Sequence, residues 1–540
     1  MNIADNGVPS VHIDAAKILD NLVYELGLPK EVADLRSNVS FDGGEPFLPL
    51  PQSQAASSAL HGLLAIEAAR VLQLRGATKV PQIFINTDHA SLYLAAFAMS
   101  ALDGHPVSPS YLSLVNEEET TLLRQETMNV YKTKDGRFFH THCSLNASSM
   151  LKFIGLDPDL VVKDIEEARE VIGKECLKYT AEELRVLCHS NGMVGEIVLQ
   201  PAEFDNSDHG KIINSLPLAR FIDIESSNPG PSPLLGLPST NSRPLEGFRV
   251  VELTQVIAGS PDYNLNIRPV HIDLRSKKGQ EQMGHLLASA DIFLQGTVQS
   301  YAIEMRPGAM NRLGLSHGRL AELGNKRGNP YIIVDEACYG GQIADGLSGV
   351  AWETGVASGL DEPVNPCLPI SDYCTGTLCA VMAVLGLVRR AEPGKFGVKG
   401  NSFFSPISLT ALDAWLRRQG QYPVSYVREK HALHGFRCDT GFGPMLFKTL
   451  QVKLTQDPLY NRPGFYNVIE HALFEGRARV TGQPRREEGG KGVKYICLGP
   501  VIKFDGIDTS YISTAPWGYF RPGWSEEDAD ALEEALQEIP

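Results

Sequence analysis

The chain has 540 residues, too many for one hydrophobic core, so two or three domains are expected. Hydrophobic residues make up 43% and charged residues 21%, an ordinary globular balance, and 50 glycines with 34 prolines point to many tight connections. With 49 basic against 64 acidic residues the formal charge is -15, which argues against a nucleic-acid surface while leaving room for a local basic pocket.

Nine scattered cysteines form no Cys-x-x-Cys pair, and their number is odd, so a reducing compartment is expected rather than a disulfide framework. His431 and His434 have no acidic or Cys partner at zinc spacing, so no metal is expected. The N-terminus lacks a secretory pattern, no uninterrupted apolar run reaches the roughly 20 residues of a membrane span, and the C-terminal ALQEIP is not a peroxisomal tripeptide. An intracellular protein, cytoplasmic and away from membranes, is the expectation; mitochondrion and peroxisome stay open.

In chain order, the first strong element runs from Leu50 to Gly76, LPQSQAASSALHGLLAIEAARVLQLRG. Its apolar residues recur on most faces without period-2 alternation, which predicts a buried helix. A short strand and a second helix follow in VPQIFINTDHASLYLAAFAM. YKTKDGRFFHTHCSL, Tyr131 to Leu145, reads as a hairpin turning at Lys-Asp-Gly, and AEELRVLCHSNGM as a helix. Residues 226–244 are rich in Pro, Ser and Gly and read as a linker. Phe248 to Leu253 is a strand of parallel-sheet character ending in a polar turn and Gly259, a pattern that brings backbone near a phosphate-bearing ligand. HIDLRSKKGQEQMGHLLASADIFLQG predicts a loop, an amphipathic helix and a buried strand, and this alternation supports an α/β sheet.

Leu368 to Gly394, LPISDYCTGTLCAVMAVLGLVRRAEPG, lies over Leu50 to Gly76 without a gap. Both segments begin Leu-Pro, carry a Ser three residues on (Ser53, Ser371), and end in a basic turn closed by Gly. A strand and a helix again follow, in GVKGNSFFSPISLTALDAWL. The chain therefore reads as internally duplicated. Residues 1–225 form a first, partial unit with a small α+β domain, and residues 245–540 form a second.

PLEGFRVVELTQVIAG, HIDL, RPGAMNRLGLS and SDYCTGTLCAVMAVLGLVRR occur in this order, and the set resembles the class III CoA-transferases. That family includes formyl-CoA and carnitine CoA-transferases and α-methylacyl-CoA racemase. The likeness covers most of Pro244 to about Leu416. The first half and YICLGPVIKFDGIDTSYISTAPWGYFRPG resemble long, duplicated fungal members.

The resemblance implies an α/β fold with Rossmann-like parallel sheet units, a smaller α+β domain, and a homodimer or an intrachain pseudo-dimer. It implies an acyl-CoA donor and a small carboxylic acid acceptor, with coenzyme A as part of the substrate and no permanently bound cofactor. Asp372 matches the family's nucleophile, which forms a mixed anhydride and then an aspartyl thioester. Read from the residues alone, Ser-Asp before a helix is also an ordinary N-cap. The resemblance assigns Gln255, Ile257, Ala258 and Gly259 to the loop beside the CoA nucleotide, and Arg275 and Arg312 to its phosphates; the residues alone fit solvated arginines equally well. Gln54 lies opposite Asp372 in the first copy, so one active centre is expected.

Two departures from the family pattern stand out. Between Gly259 and His271 only SPDYNLNIRPV remains where members carry a helix and a strand. Gly341 stands where they carry an acidic residue, and Asp345 nearby reads as a helix or surface residue. Three readings follow: an acyl-CoA:carboxylate CoA-transferase, an α-methylacyl-CoA racemase or epimerase, and a catalytically impaired CoA-binding protein.

Overall fold

The computed structural model describes residues 9–44, 46, 52–102, 105–106, 121–142, 146–224, 232–239, 242–253, 266–298, 309–338, 340–396, 402–432, 435–441, 443–446, 448–449, 462, 464–472, 493–515 and 520–537. Helix α1 (Val11–Glu25) buries Val11, Ala15, Ile18, Leu19 and Leu22, one stripe at helical spacing. Strand β1 (Val39–Asp42) leads to α2 (Ser53–Leu74), which is buried on nearly every face. Strand β2 (Ile83–Asn86) pairs parallel with β1, and Asn86 caps α3 (Thr87–Tyr93) by accepting from the N–H groups of Asp88 and His89. Strands β3 (Ala101–Leu102) and β4 (His105–Pro106) follow.

The hairpin forms as β5 (Val130–Lys132) and β6 (Phe138–Thr141), with Gly136 in the turn. Helices α4 (Ala147–Ile154), α5 (Ile165–Cys176) and α6 (Ala181–Ser190) accompany it, and β7 (Gly195–Ile197) completes its sheet. Tyr131, Phe139, Leu151, Ile172, Leu184 and Ile197 give this small α+β region its own core. Strand β8 (Ile222–Asp223) ends the first half. The described residues of the linker have neither helix nor strand. The linker is nevertheless tied down, because the Arg75 guanidinium donates to the carbonyls of Leu235, Gly236 and Pro244.

The second half holds β9 (Val250–Leu253), α7 (Lys277–Ser289), β10 (Ile292–Val298), α8 (His317–Lys326), β11 (Ile332–Cys338), α9 (Gly341–Ser348), α10 (Val350–Ala357), α11 (Ile370–Ala391), β12 (Phe403–Ser408) and α12 (Leu409–Gln419). Strands β13 (Tyr466–Ala472), β14 (Val493–Leu498) and β15 (Ile502–Phe504) and helix α13 (Glu526–Ala535) close the chain.

The main sheet has the order β8-β12-β11-β10-β9, with β9 to β12 parallel and β8 antiparallel at one edge. Alternation along the strands divides its residues between two faces. Phe293, Ile333 and Val251 pack with α7 and α8, whereas Ile292, Ile332, Val334 and Phe403 pack with α11. A smaller sheet has the order β1-β2-β15, parallel and then antiparallel. The fold is thus mixed α/β with several sheets. The exchange of edge strands is reciprocal: β8 of the first half pairs with β12, and β15 of the second half pairs with β2.

Helices α2 and α11 pack against each other at the centre of the largest core. Alanines at 55, 56, 59, 65, 68 and 69 let neighbours approach α2 closely, and each leucine buried there contributes about 1.5–3 kcal/mol. Helix α11 is 22 residues long and, by length and composition, apolar enough to cross a membrane. Ser, Thr and Gly interrupt its apolar run, so it is not an uninterrupted stretch of that length, but they do not lower its mean hydropathy below that of a span. Most of it is buried against protein, which also explains its composition. At its end Arg390 donates to Asp291 and to the Pro330 carbonyl, and Arg389 pairs with Asp223, so the basic turn ties α11 to the strand starts.

Candidate active site

Asp372 sits in the first turn of α11, on the sheet face that also carries Glu336 of β11. The N-cap of this helix is Pro369, and no side chain caps it. The Ser-Asp pair is therefore not the N-cap that its pattern also allowed; both residues lie one and two positions inside the helix. Asp372 is only 8% exposed. Burial pushes its carboxyl up to about 7, opposed by its own backbone N–H and that of Gly341.

The approach of Gly341 to this carboxylate is close. A Cβ at Gly341 would stand 2.1 Å from Asp372 Oδ2, and one at Gly340 would stand 2.8 Å from His142 Nε2. Gly340 also has φ +110, a conformation that favours glycine. The Gly340–Gly341 step at the start of α9 thus threads between a carboxylate and an imidazole. His142 comes from the first half of the chain, just after β6, and burial lowers it to about 4. His140 is lowered to about 3, again chiefly by burial, and its Nδ1 lies 2.6 Å from the Thr141 carbonyl, so this nitrogen carries the hydrogen. Both rings are neutral at physiological pH.

More carboxyls surround Asp372. Glu336 is buried and pushed well up, first by burial and then by Asp372, Glu252 and Asp335. Asp345 of α9 and Asp413 of α12 are both buried, and burial pushes both well above the carboxylate range. Ser371 Oγ lies 2.7 Å from Asp345 Oδ1 and 2.5 Å from Asp413 Oδ1. Asp345 is on a helix but deep inside, not at the surface. Among the described residues no cation pairs with Asp372. A buried, cation-free carboxyl near neutrality can act both as an anion and as an acid.

On the opposite face of the sheet, His317 Nε2 lies 3.2 Å from Asp335 Oδ2 and 3.3 Å from Gln295 Nε2, and its ring stacks on Phe404. Asp335 Oδ1 and Gln295 Oε1 are buried with no hydrogen-bond partner among the described residues. Both lie midway along β10 and β11, level with Leu253 at the carboxyl end of β9, the edge at which α/β sheets bind ligands.

Of the residues singled out in the sequence, Asp372 stands in this cluster. Gln255, Ile257, Ala258 and Gly259 lie outside the described residues. Arg275 is on the surface with its side chain 69% exposed, donating to Asp273 Oδ1 at 2.8 Å, and Arg312 is exposed at the end of a short helical turn. Neither pairs with Asp372. His434 and the His431 side chain are outside the described residues, among which no group of three His, Cys, Asp or Glu is placed to hold a metal. Sequence reasoning passed over Glu336, Asp413 and His142. The first two carried a signal: Glu336 is acidic in an apolar strand, and Asp413 falls on the apolar stripe of its helix beside Leu409, Leu412 and Leu416. His142 carried none.

Comparison with known proteins gives a consistent picture. The model of CoA-transferase family III matches residues 261–437. The acetyl-coenzyme A transferase nodX of Hypoxylon pulicicidum is 32% identical over 591 residues, spanning 96% of this chain and 94% of that protein. An acyl-CoA transferase of Gibberella moniliformis is 28% identical, with 89% of each chain covered. The human succinyl-CoA:glutarate CoA-transferase is 22% identical over 29% of this chain and 44% of its own length.

Proposed function

The chain belongs to CoA-transferase family III, and from that premise we propose that it transfers CoA from an acyl-CoA to a carboxylic acid, with Asp372 as nucleophile. The observation that carries this reading is the buried Asp372 carboxyl, held near neutrality against the Gly341 backbone with no cation beside it among the described residues. An Asp372 oxygen attacks the thioester carbonyl, the C–S bond breaks, and a mixed anhydride and CoA thiolate result. The thiolate attacks the aspartyl carbonyl, releasing the donor acid as its carboxylate and leaving an aspartyl thioester. The acceptor carboxylate and the same thiolate then repeat both steps in reverse order. No proton is consumed and no water enters, so burial of the centre protects each activated acyl group.

We place the CoA nucleotide at the carboxyl ends of β9 to β11, with Gln255, Ile257, Ala258 and Gly259 following β9. The unpaired atoms of Gln295 and Asp335 support this placement. Arg275, paired with Asp273, and Arg312 are both exposed, so they would meet phosphates only at the rim. The alignment with the Hypoxylon protein is longer than the chain itself, and among the described residues β9 is an edge strand with Val250 46% exposed. Both observations support a missing strand beside β9.

We also read the two halves as copies that interlock as an intrachain pseudo-dimer. The order β15-β2-β1 with α2 and α3 mirrors β8-β12-β11 with α11 and α12, each with a reciprocal antiparallel strand from the other half. Among the described residues the first copy has no counterpart of β9 and β10 in its sheet, and it has Gln54 opposite Asp372. One active centre follows.

A second reading has one observation in its favour. His142 and Asp372 flank the same Gly340–Gly341 step, and a neutral imidazole with a carboxyl near neutrality could exchange an α-proton of an acyl-CoA. Mass spectrometry of the whole chain with a panel of acyl-CoAs and hydroxylamine tests both. A hydroxamate on Asp372, absent from Asp372→Asn, is expected. Solvent-deuterium uptake at the α-carbon without any adduct would replace transfer by enolisation.

A further inference from the structure

We infer that Asp345, Ser371 and Asp413 hold a shared proton behind Asp372, and that this protonated unit positions the nucleophile. The role assigned to Asp372 rests on the transferase reading; the proton does not. A serine hydroxyl has one hydrogen. Ser371 Oγ is within hydrogen-bond distance of Asp345 Oδ1 at 2.7 Å and Asp413 Oδ1 at 2.5 Å, so it donates to one and the other must bring a hydrogen of its own. Two ionised carboxylates would leave one of these contacts without any hydrogen between the oxygens.

Among the described residues no cation faces the pair; besides Ser371, the Ser348 hydroxyl also bonds Asp413. Arg417, one turn beyond Asp413 on α12, directs its guanidinium to Asp205, to Glu353 of α10 and to the Ser348 carbonyl. On α11, Asp372 adds negative charge and Cys374 is a buried thiol pushed up by burial and by Asp413. Burial pushes Glu336 of β11 well above the carboxylate range, and His140 of β6 and His142 are held neutral. On β7, Glu196 faces His189, and on α2 Glu67 pairs with Arg70. The proton therefore stays, because losing it would put two buried like charges on either side of one oxygen.

The consequence for reaction is geometric. Ser371 ties the first turn of α11 to α9 and α12. The same α9 begins with Gly341, whose backbone lies against the Asp372 carboxylate. When the shared proton leaves, the two carboxylates repel through Ser371 and the seat of Asp372 opens. The unit is a positioning device, and its signature is an alkaline limb in the reaction at Asp372.

The test compares the full chain with Asp413→Asn and, should that variant not fold, Asp345→Asn. The amide cannot ionise and donates permanently to Ser371. Hydroxamate formation at Asp372 is followed against pH. The ratio of labelling at about pH 9.5 to labelling at about pH 7.5 is expected to rise roughly tenfold over the parent chain. An unchanged ratio in a folded variant overturns the positioning role. The proton itself is read by infrared spectroscopy in an Asp372→Asn background, which has no chemistry to report. A protonated-carboxyl band at neutral pH that weakens on adding Asp413→Asn is expected, and a band of unchanged strength overturns the shared proton. Absence of any adduct in the parent chain would remove the transferase reading, and the infrared comparison would still decide the proton.

Discussion

Each half has a Gly-Gly step after a parallel strand, and the two steps are used differently. After β1, the Gly44 N–H donates at 2.9 Å to Asp88 Oδ1, and the other Asp88 oxygen is 2.9 Å from an Arg462 guanidinium nitrogen. After β11, Gly341 lies against Asp372, which has no such cation among the described residues. In the first half the carboxylate comes from α3, is locked as an ion pair, and its charge does structural work. In the second it comes from the helix that starts the central core, and its charge is kept costly by burial. The same backbone feature thus holds a neutralised anion in one place and an available one in the other, and a nucleophile requires the second arrangement.

Asp372→Asn cuts this comparison most deeply. Adduct formation is expected to fall by about 10³-fold or more, with mass spectrometry as the readout. The same substitution has a stability signature. Asp372 is raised from 3.8 to about 7 in the folded chain, so the native state keeps a proton that the unfolded state releases. Stability contributed by that proton is complete below the unfolded value and is lost as pH rises through about 7. Asn removes the loss, on the order of 4 kcal/mol, so the variant should melt above the parent chain at about pH 8 and level with it at about pH 4. For labelling the sign is opposite: only the ionised carboxylate attacks, so the parent rate should climb as pH rises through about 7.

Paired glycine substitutions sharpen the contrast. Gly341→Ala puts a methyl 2.1 Å from Asp372 Oδ2 and should displace the carboxylate, lowering labelling by about 10- to 100-fold. Gly44→Ala meets Asp88 Oδ1 at 3.4 Å, an ordinary contact, and should leave labelling intact with a thermal shift worth under about 1 kcal/mol. Equal effects of the two would break the distinction between the seats. The Asp88–Arg462 pair gives a further test. Arg462→Ala leaves Asp88 buried without its cation, and because Arg462 is itself partly exposed the cost should be about 1–3 kcal/mol in chemical denaturation. Labelling per folded molecule should not change.

Much of the frame was legible along the chain. The gapless match of Leu50–Gly76 to Leu368–Gly394 anticipated two long buried helices, and α2 and α11 begin at Ser53 and Ile370 within those segments. The Lys-Asp-Gly hairpin and the strand–helix–strand run from β9 to β10 were equally plain, because turn chemistry and periodicity are local properties. Asp372 could be named because it sits on a motif. Its neighbours could not: Asp413 lies 41 positions away and His142 is in the other half of the chain.

The sequence by itself determined which segments are helices and strands, which helices are buried, and that an acid stands at the start of the second central helix. Tertiary structure alone decided that this acid meets no cation among the described residues and that Asp88, beside the other Gly-Gly step, is paired with Arg462. It also decided that Asp345 and Asp413 meet across Ser371. Local pattern records how apolar a residue's own neighbours in sequence are. The charge a buried carboxyl can hold depends instead on water removed and on partners brought from distant segments, and those exist only once α9, α11, α12 and the first half of the chain have packed.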